Sequence, residues 1–165
     1  MAPPGSDNSV EIRPITGDDW PLWRSIRFEA LQDTPTAFGS TYEREREFAE
    51  ADFRSRLDAG APVVLAMVGD VPVGMGAAYQ DIEGWLHVVA MWVSPQWRGQ
   101  RVGARVLDHL VGWARDHGLR VHLDVSVDNG AARRLYQRYG FVGTGETEPL
   151  RPGSSYSIER MILPE

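Results

Sequence analysis

The stretch "VSPQWRGQRVGARVLDHLVGWA", residues 93 to 114, carries an Arg-Gly pair and a second glycine into an apolar, helix-periodic run. A helix N-terminus presents about four backbone N–H groups without intrahelical partners and roughly half a positive charge. That makes it a natural seat for a phosphate. Gly99 and Gly103 would let the backbone close on such an anion, and Arg98 and Arg101 would add positive charge. A tight strand-to-helix turn would also ask for glycine there, so the stretch by itself leaves both readings open. It is not a Walker loop, which ends in Gly-Lys-Ser/Thr, and it lacks the register of the dinucleotide fingerprint.

Composition narrows the chemistry. The chain has 165 residues, enough for one domain with its own core. Hydrophobic residues make up 42% and charged ones 24%, as in ordinary soluble domains. A formal net charge of −6 argues against a nucleic-acid partner, whose usual footprint is basic. There is no cysteine, which excludes disulfides, thiolate metal sites and a thiol nucleophile. All 17 basic residues are arginine, which excludes a Schiff-base or P-loop lysine. The N-terminus has no basic n-region or apolar h-region, and no apolar run approaches bilayer length. The expectation is a cytoplasmic protein whose residues 1–9 are loose and whose residues 10–165 form a single domain.

The elements that must position the glycine turn follow from periodicity. "VEIRPI" alternates as a strand. "TGDDWPLWRSIRFEALQD" reads as a helix with Trp20, Trp23, Ile26, Arg27, Ala30 and Leu31 at helical spacing. "TPTAFGST" is a loop, and "YEREREFAEADFRSRLDAG" reads as one charged helix ending at Gly60. "PVVLAMVGDVPVGMGAAYQ" is a hairpin turning at Gly69-Asp70, and "WLHVVAMWV" is the next strand. In the following helix Val102, Val106, Leu107, Leu110, Val111 and Ala114 share a face. "RVHLDVSV" is a strand with Val121, Leu123, Val125 and Val127 on one side. Asn129 suits the N-cap of a helix bearing Ala132, Leu135, Tyr136 and Tyr139, closed by Gly140. Two last strands lie in "FVGTGETE" and "SSYSIERMIL". The order β-α-α-β-β-β-α-β-α-β-β predicts a mixed α/β sheet.

Two signatures together give this order a family. "VDNGAARRLYQRYGF" resembles the N-x-x-A-x-x-L-Y-x-x-x-G-F pattern of the GCN5-related N-acetyltransferase superfamily, and "MWVSPQWRGQRVG" resembles its V-x-P-x-x-R-G-x-G-x-G pyrophosphate loop. The resemblance implies an acyl-CoA N-acyltransferase fold with a splayed central sheet. It implies acetyl-CoA as co-substrate and an amine as acceptor. Trp92 and Val93 would lie along the pantetheine arm. Arg98, Gly99, Gln100, Arg101, Val102, Gly103 and Ala104 would wrap the pyrophosphate with backbone N–H groups. Asn129 would hydrogen-bond the pantetheine amide, and Tyr136 would sit beside the thioester sulfur. Arg101 departs from the pattern, standing where the family has its middle glycine. The loop between the first two helices, by the same resemblance the variable acceptor rim, offers Phe38 and Tyr42. Dimers are common in the family, so a homodimer is compatible.

Acetyl transfer to an amine has definite requirements. An alkyl amine of pKa ~10.4 is mostly protonated near neutrality, and deprotonating it costs about 4 kcal/mol. A general base or a relay of waters helps. A tyrosine of pKa ~10 keeps its proton at neutral pH and can give it to a leaving thiolate of pKa ~8.5. Tyr136 is the expected donor, although a tyrosine on that helix face also suits a core. His87 is the expected base, near the start of the strand leading to Val93, with a purely structural histidine or water as the alternative. Asp124 and Ser126 are weaker candidates on the next strand. His109, His117 and His122 show no metal-ligand spacing with one another, so no catalytic metal is expected. The sequence therefore predicts an N-acetyltransferase for a small-molecule amine. A protein acetyltransferase and a non-catalytic CoA-binding module of the same fold are the competing readings.

Overall fold

A computed structural model describes residues 9–165. The expectation of a loose N-terminal segment falls almost wholly outside the described residues. Seven strands form one sheet, in the order β1-β2-β3-β4-β5-β7-β6. The strands are β1 (Glu11–Pro14), β2 (Val63–Val68), β3 (Val71–Tyr79), β4 (Trp85–Val93), β5 (Arg120–Ser126), β6 (Val142–Pro149) and β7 (Ser157–Leu163). All neighbours pair antiparallel except β4 and β5, which are parallel. A parallel pair needs a crossover, and α4 (Val102–Asp116) supplies it.

The sheet is covered on both faces. On one, α4 buries Val102, Val106, Leu107, Leu110, Val111 and Ala114, the predicted stripe, against β2–β5. On the other, α1 (Trp20–Asp33) and α3 (Glu50–Leu57) set Trp23, Ile26, Leu31 and Phe53 against Leu65, Met75 and Trp92. Each such aliphatic or aromatic side chain, fully buried, contributes about 1.5–3 kcal/mol. α5 (Gly130–Tyr139) closes the first face at one edge, burying Tyr136 and capped by Asn129 as predicted, with Asn129 Oδ1 accepting from the Ala132 N–H at 3.2 Å.

Three details differ from the sequence reading. The first helix begins at Trp20, because Pro21 suits a first turn and residues 17–19 form a 3₁₀ turn ahead of it. The charged second helix is two pieces, α2 (Tyr42–Glu45) and α3. Asp52 Oδ2 accepts from the Ala49 N–H at 2.8 Å, which starts a fresh helix there. Val127 is 46% exposed, since β5 ends at Ser126 and the alternation ends with it.

The break between α2 and α3 leaves Glu45 pointing inward. Its carboxylate takes Arg27 Nε at 2.9 Å and Nη2 at 2.8 Å, a two-pronged pair with both residues buried. Burial opposes ionisation of Glu45, but the Arg27 guanidinium holds its carboxyl below the usual range. Removing one member of a buried pair strands the other charge and costs about 3–5 kcal/mol. Glu45→Gln, which keeps the shape and removes the charge, is therefore expected to lower the urea midpoint by an amount equivalent to about 3 kcal/mol. A shift worth less than about 1 kcal/mol would mean that this pair does not hold α2 in place.

Candidate active site

β4 and β5 pair from Trp85↔Arg120 to Val88↔Leu123 and then part. At the point of parting, β4 carries an extra residue: Met75 of β3 faces Trp92 and Ala77 faces Val89, so three steps on β4 oppose two on β3. Within this bulge Ala90 has φ 58°, a left-handed conformation that a side chain makes unfavourable. Gly76 lies across from the bulge, where a Cβ would stand 2.5 Å from Val106 Cγ1 and 2.8 Å from Met91 Sδ. Only glycine lets α4 and the bulge close on β3 there.

The parted strands frame a recess of about 60 Å³, walled by Val88–Met91 on one side and Leu123–Ser126 on the other. It shares Ala37, Met91, Asn129, Ala132 and Tyr136 with a groove of about 650 Å³ that runs between the α4 N-terminus and α5. The predicted cofactor residues Trp92, Val93, Arg98, Gly99, Arg101, Val102, Gly103, Ala104 and Asn129 all line this groove. Gln100 does not; its amide turns back to the Gln96 carbonyl at 3.2 Å.

The half of the groove nearest the α4 N-terminus exposes backbone. No side chain caps α4, and its first helical hydrogen bond runs from the Arg105 N–H to the Arg101 carbonyl. The amides before it have no intrahelical partner. Gly99, with φ 79° and open space around its Cα, makes the turn. Gly103 also serves packing, since a Cβ there would meet Leu135 Cδ2 at 2.9 Å. Arg98 is tied to the scaffold by two of its nitrogens: Nε donates to the Val93 carbonyl and Nη2 to Asp33, both at 2.9 Å. Asp33 also accepts from Trp92 Nε1 at 3.1 Å and from Thr34 Oγ1 at 2.7 Å. The Thr34 hydroxyl, with Arg98 and Trp92 beside it, keeps the Asp33 carboxyl below its ordinary range despite partial burial. Sequence reasoning missed Asp33, whose partners lie 59 and 65 residues away.

Asn129 spends its oxygen on the α5 cap, so its amide N–H groups remain for the groove. Tyr136, 7% exposed, stands where groove and recess meet. Its hydroxyl has no hydrogen-bond partner among the described residues, and burial pushes the phenol well above its ordinary range. It keeps its proton. Of the acceptor-rim residues, Phe38 is buried and lines the recess, whereas Tyr42 packs edge-on against Phe28, 5.2 Å between centroids, and lines neither cavity.

His87 lies just outside the recess. Its Nδ1 is 3.0 Å from Asp81 Oδ2, and its Nε2 is 3.5 Å from Oδ2 of Asp124, which does line the recess. Burial, the larger effect, pushes the imidazole pKa below 6.5, opposed by the Asp124 and Asp81 carboxylates. His87 is thus neutral at neutral pH and able to accept a proton. Its strand partner His122 places Nε2 at 2.9 Å from Asp81 Oδ1 and Nδ1 at 3.4 Å from Arg160 Nη1. Asp81, His87 and His122 have donor atoms within 4.8 Å of one another, a spacing that could suit a cation. Arg160 can only donate, however, so His122 accepts at Nδ1 and carries its proton on Nε2, toward Asp81. Those donor atoms are engaged with each other. The histidines meet through strand register and not through sequence spacing, which is why the spacing test missed the cluster.

Residues 23–141 match the model of the acetyltransferase (GNAT) family. The chain belongs to that family. The L-amino acid N-acyltransferase MnaT of Escherichia coli is 30% identical over 99 residues, 57% of this chain and 58% of that protein. The peptidyl-lysine N-acetyltransferase YjaB of Salmonella typhimurium is 27% identical over 144 residues, 87% of this chain and 88% of that one. A GNAT-family acetyltransferase structure from Streptococcus pneumoniae superposes with a TM-score of 0.76 at 18% identity, covering 94% of this chain and 100% of that chain. The structure of yncA from Salmonella typhimurium with its cofactor acetyl-CoA superposes at 0.73 with 20% identity, covering 94% and 93%. Both superpositions confirm the mixed sheet and helix order read from the sequence. Among the described residues no helix is long and apolar enough to cross a membrane.

Arg101 shows how this GNAT chain accommodates its departure from the family loop. It adopts φ 64° immediately before α4, the conformation glycine prefers, with its side chain exposed. The left-handed backbone costs a side-chain-bearing residue about 1–2 kcal/mol, against about 0.5–1 kcal/mol of extra entropy lost by glycine. Arg101→Gly is thus expected to raise thermal stability slightly, by about 0.5–1 kcal/mol. A loss of stability would show that the arginine side chain holds the turn.

Proposed function

We propose that this chain is a cytoplasmic acetyl-CoA-dependent N-acetyltransferase that passes the acetyl group directly to a primary amine of a small molecule. One observation carries the reading: the parted β4–β5 edge opens into a groove with an uncapped helix N-terminus at one end and the unpaired Tyr136 hydroxyl at the other. Acetyl-CoA supplies an activated acyl group. The α4 amides and the Gly99 turn suit its pyrophosphate, and the Asn129 amide suits the carbonyl of its pantetheine arm.

The protein's own groups then divide the chemistry. The bulge at Ala90 takes a residue out of the strand ladder beside the recess, which suits backbone N–H groups for a developing oxyanion. His87 or a water on Asp124 takes the proton from the attacking amine nitrogen. That nitrogen bonds to the carbonyl carbon as the carbon–sulfur bond breaks, and Tyr136 returns a proton to the departing sulfur. Phe38 walls the acceptor side.

The relatives bear on the acceptor class. MnaT is named for L-amino acids and YjaB for peptidyl-lysine, and both names imply an amine. The alignment spans 58% of MnaT's length, so its acceptor guides this proposal without fixing it. The greater coverage of YjaB favours a lysine side chain as the second reading.

Thiol release from acetyl-CoA, followed with free amino acids, polyamines and a lysine peptide, tests the proposal. Acceleration by free amines is expected. Acceleration by the peptide alone would make it a protein acetyltransferase, and none with any amine a binding module. With the active acceptor, Tyr136→Phe should leave acetyl-CoA affinity nearly unchanged and lower kcat and kcat/KM together by about a hundredfold to ten-thousandfold. Full activity, with acetyl transfer rate-limiting, would assign the proton to solvent and Tyr136 to the core.

A further inference from the structure

Asp81 lies in the β3–β4 turn, outside both signatures, yet it touches the two histidines of the sheet. His87 of β4 and His122 of β5 face each other in register, and their rings stand edge to face with centroids 4.9 Å apart. Both are buried, at 7% and 2% exposure. Tyr79 of β3 stacks on His87 and Trp85 on His122, at 5.1 and 5.0 Å. Arg160 of β7 grips Asp124 through Nε at 3.0 Å and Nη2 at 3.2 Å while its Nη1 meets His122.

These partners determine where the protons sit. Arg160 donates to His122 Nδ1, so His122 donates from Nε2 to Asp81. Asp81 has no proton to give: burial opposes its ionisation, but hydrogen bonds from His122 and His87 hold its carboxyl below the usual range. It must therefore accept from His87, which puts the His87 proton on Nδ1. The other nitrogen, Nε2, then faces Asp124 Oδ2 at 3.5 Å as one acceptor opposite another. A donor with more than one N–H standing beside this pair could serve both acceptors, Asp124 Oδ2 taking it in addition to Arg160 Nη2. A primary ammonium is such a donor.

We propose that Asp81 is a positioning residue for the base: with His122 and Arg160 it fixes the His87 ring so that Nε2 is held as an acceptor toward Asp124 at the mouth of the acetyl recess. This rests on the reading of His87 as the base. In the step it supports, an ammonium N–H bond breaks and its electron pair stays on the amine nitrogen. The proton passes to the Nε2 lone pair. The resulting imidazolium keeps its Nδ1–H on Asp81, whose negative charge stabilises it.

The groups facing His87 are Tyr79, Asp81, His122 and Asp124, with Arg160 behind the last two, so the pH response of Asp81→Asn has a defined sign. Loss of the Asp81 charge removes a stabiliser of the charged imidazole. The acid limb of kcat/KM should then move to lower pH, and the plateau should fall about tenfold to a hundredfold, short of losing the base entirely. A lower plateau with an unmoved limb would reduce Asp81 to a structural part and overturn the proposal. His87→Ala separates the two claims. A limb that disappears in His87→Ala but does not move in Asp81→Asn leaves the base standing and removes the positioning role. A limb that persists in His87→Ala removes both. Should Asp81→Asn fail to fold, ring ¹⁵N shifts of the unsubstituted protein decide the matter. A proton on His87 Nδ1 is expected, and one on Nε2 in the neutral ring would overturn the proposal.

Discussion

Two parallel strands that stop pairing halfway along their length determine the rest of this molecule. Beyond Val88↔Leu123 the β4 and β5 edges would each leave backbone groups unpaired in the middle of a sheet. Such groups are costly unless something else satisfies them. The separation is held from both faces: α4 packs against β2–β5, and the α1–α3 layer packs Trp92 and Ala77 from the other side. Ala90, in its left-handed bulge, is the local strain that accompanies the split, and it persists because Gly76 and the core around it admit no simpler path.

From that split follows the placement of each group with a chemical part. The end of β4 leads through the Gly99 turn directly to the uncapped start of α4, so that helix N-terminus and the open strand edge share one groove. Asp33 locks this junction to α1 by accepting from Trp92 and Arg98 together. Arg98 braces the same junction through Nε on the Val93 carbonyl and Nη2 on Asp33 while still lining the groove. On the far side of the split a polar row crosses the sheet: Tyr79 pairs with His87 and His87 with His122, and two residues further along β5 Asp124 pairs with Arg160 and lines the recess.

Much of this was legible in the sequence, for identifiable reasons. Helical spacing is a local signal, and it placed α4, α5 and the two capping residues of α5, Asn129 and Gly140, correctly. The glycine turn ahead of α4 and the place of Tyr136 on α5 were legible because each is a short contiguous pattern. What escaped depended on residues far apart in the chain. The charged run 42–60 looked like one helix because nothing local reveals that Glu45 must turn inward to meet Arg27. Nothing local marks Asp33 or Asp81, whose partners are far away in sequence or on other elements, and only strand register brings His122 beside His87. Tyr42 carried the right chemistry in the right loop, yet its ring prefers Phe28.

Hydrogen–deuterium exchange of backbone amides with and without acetyl-CoA tests most directly whether backbone forms the binding surface. Protection is expected at residues 98–104, where the α4 amides would take the pyrophosphate, and at residues 89–93 along the open β4 edge. Amides of β1, β6 and β7 should exchange unchanged. Binding of acetyl-CoA with no protection at 98–104, or with protection confined to other elements, would contradict the account.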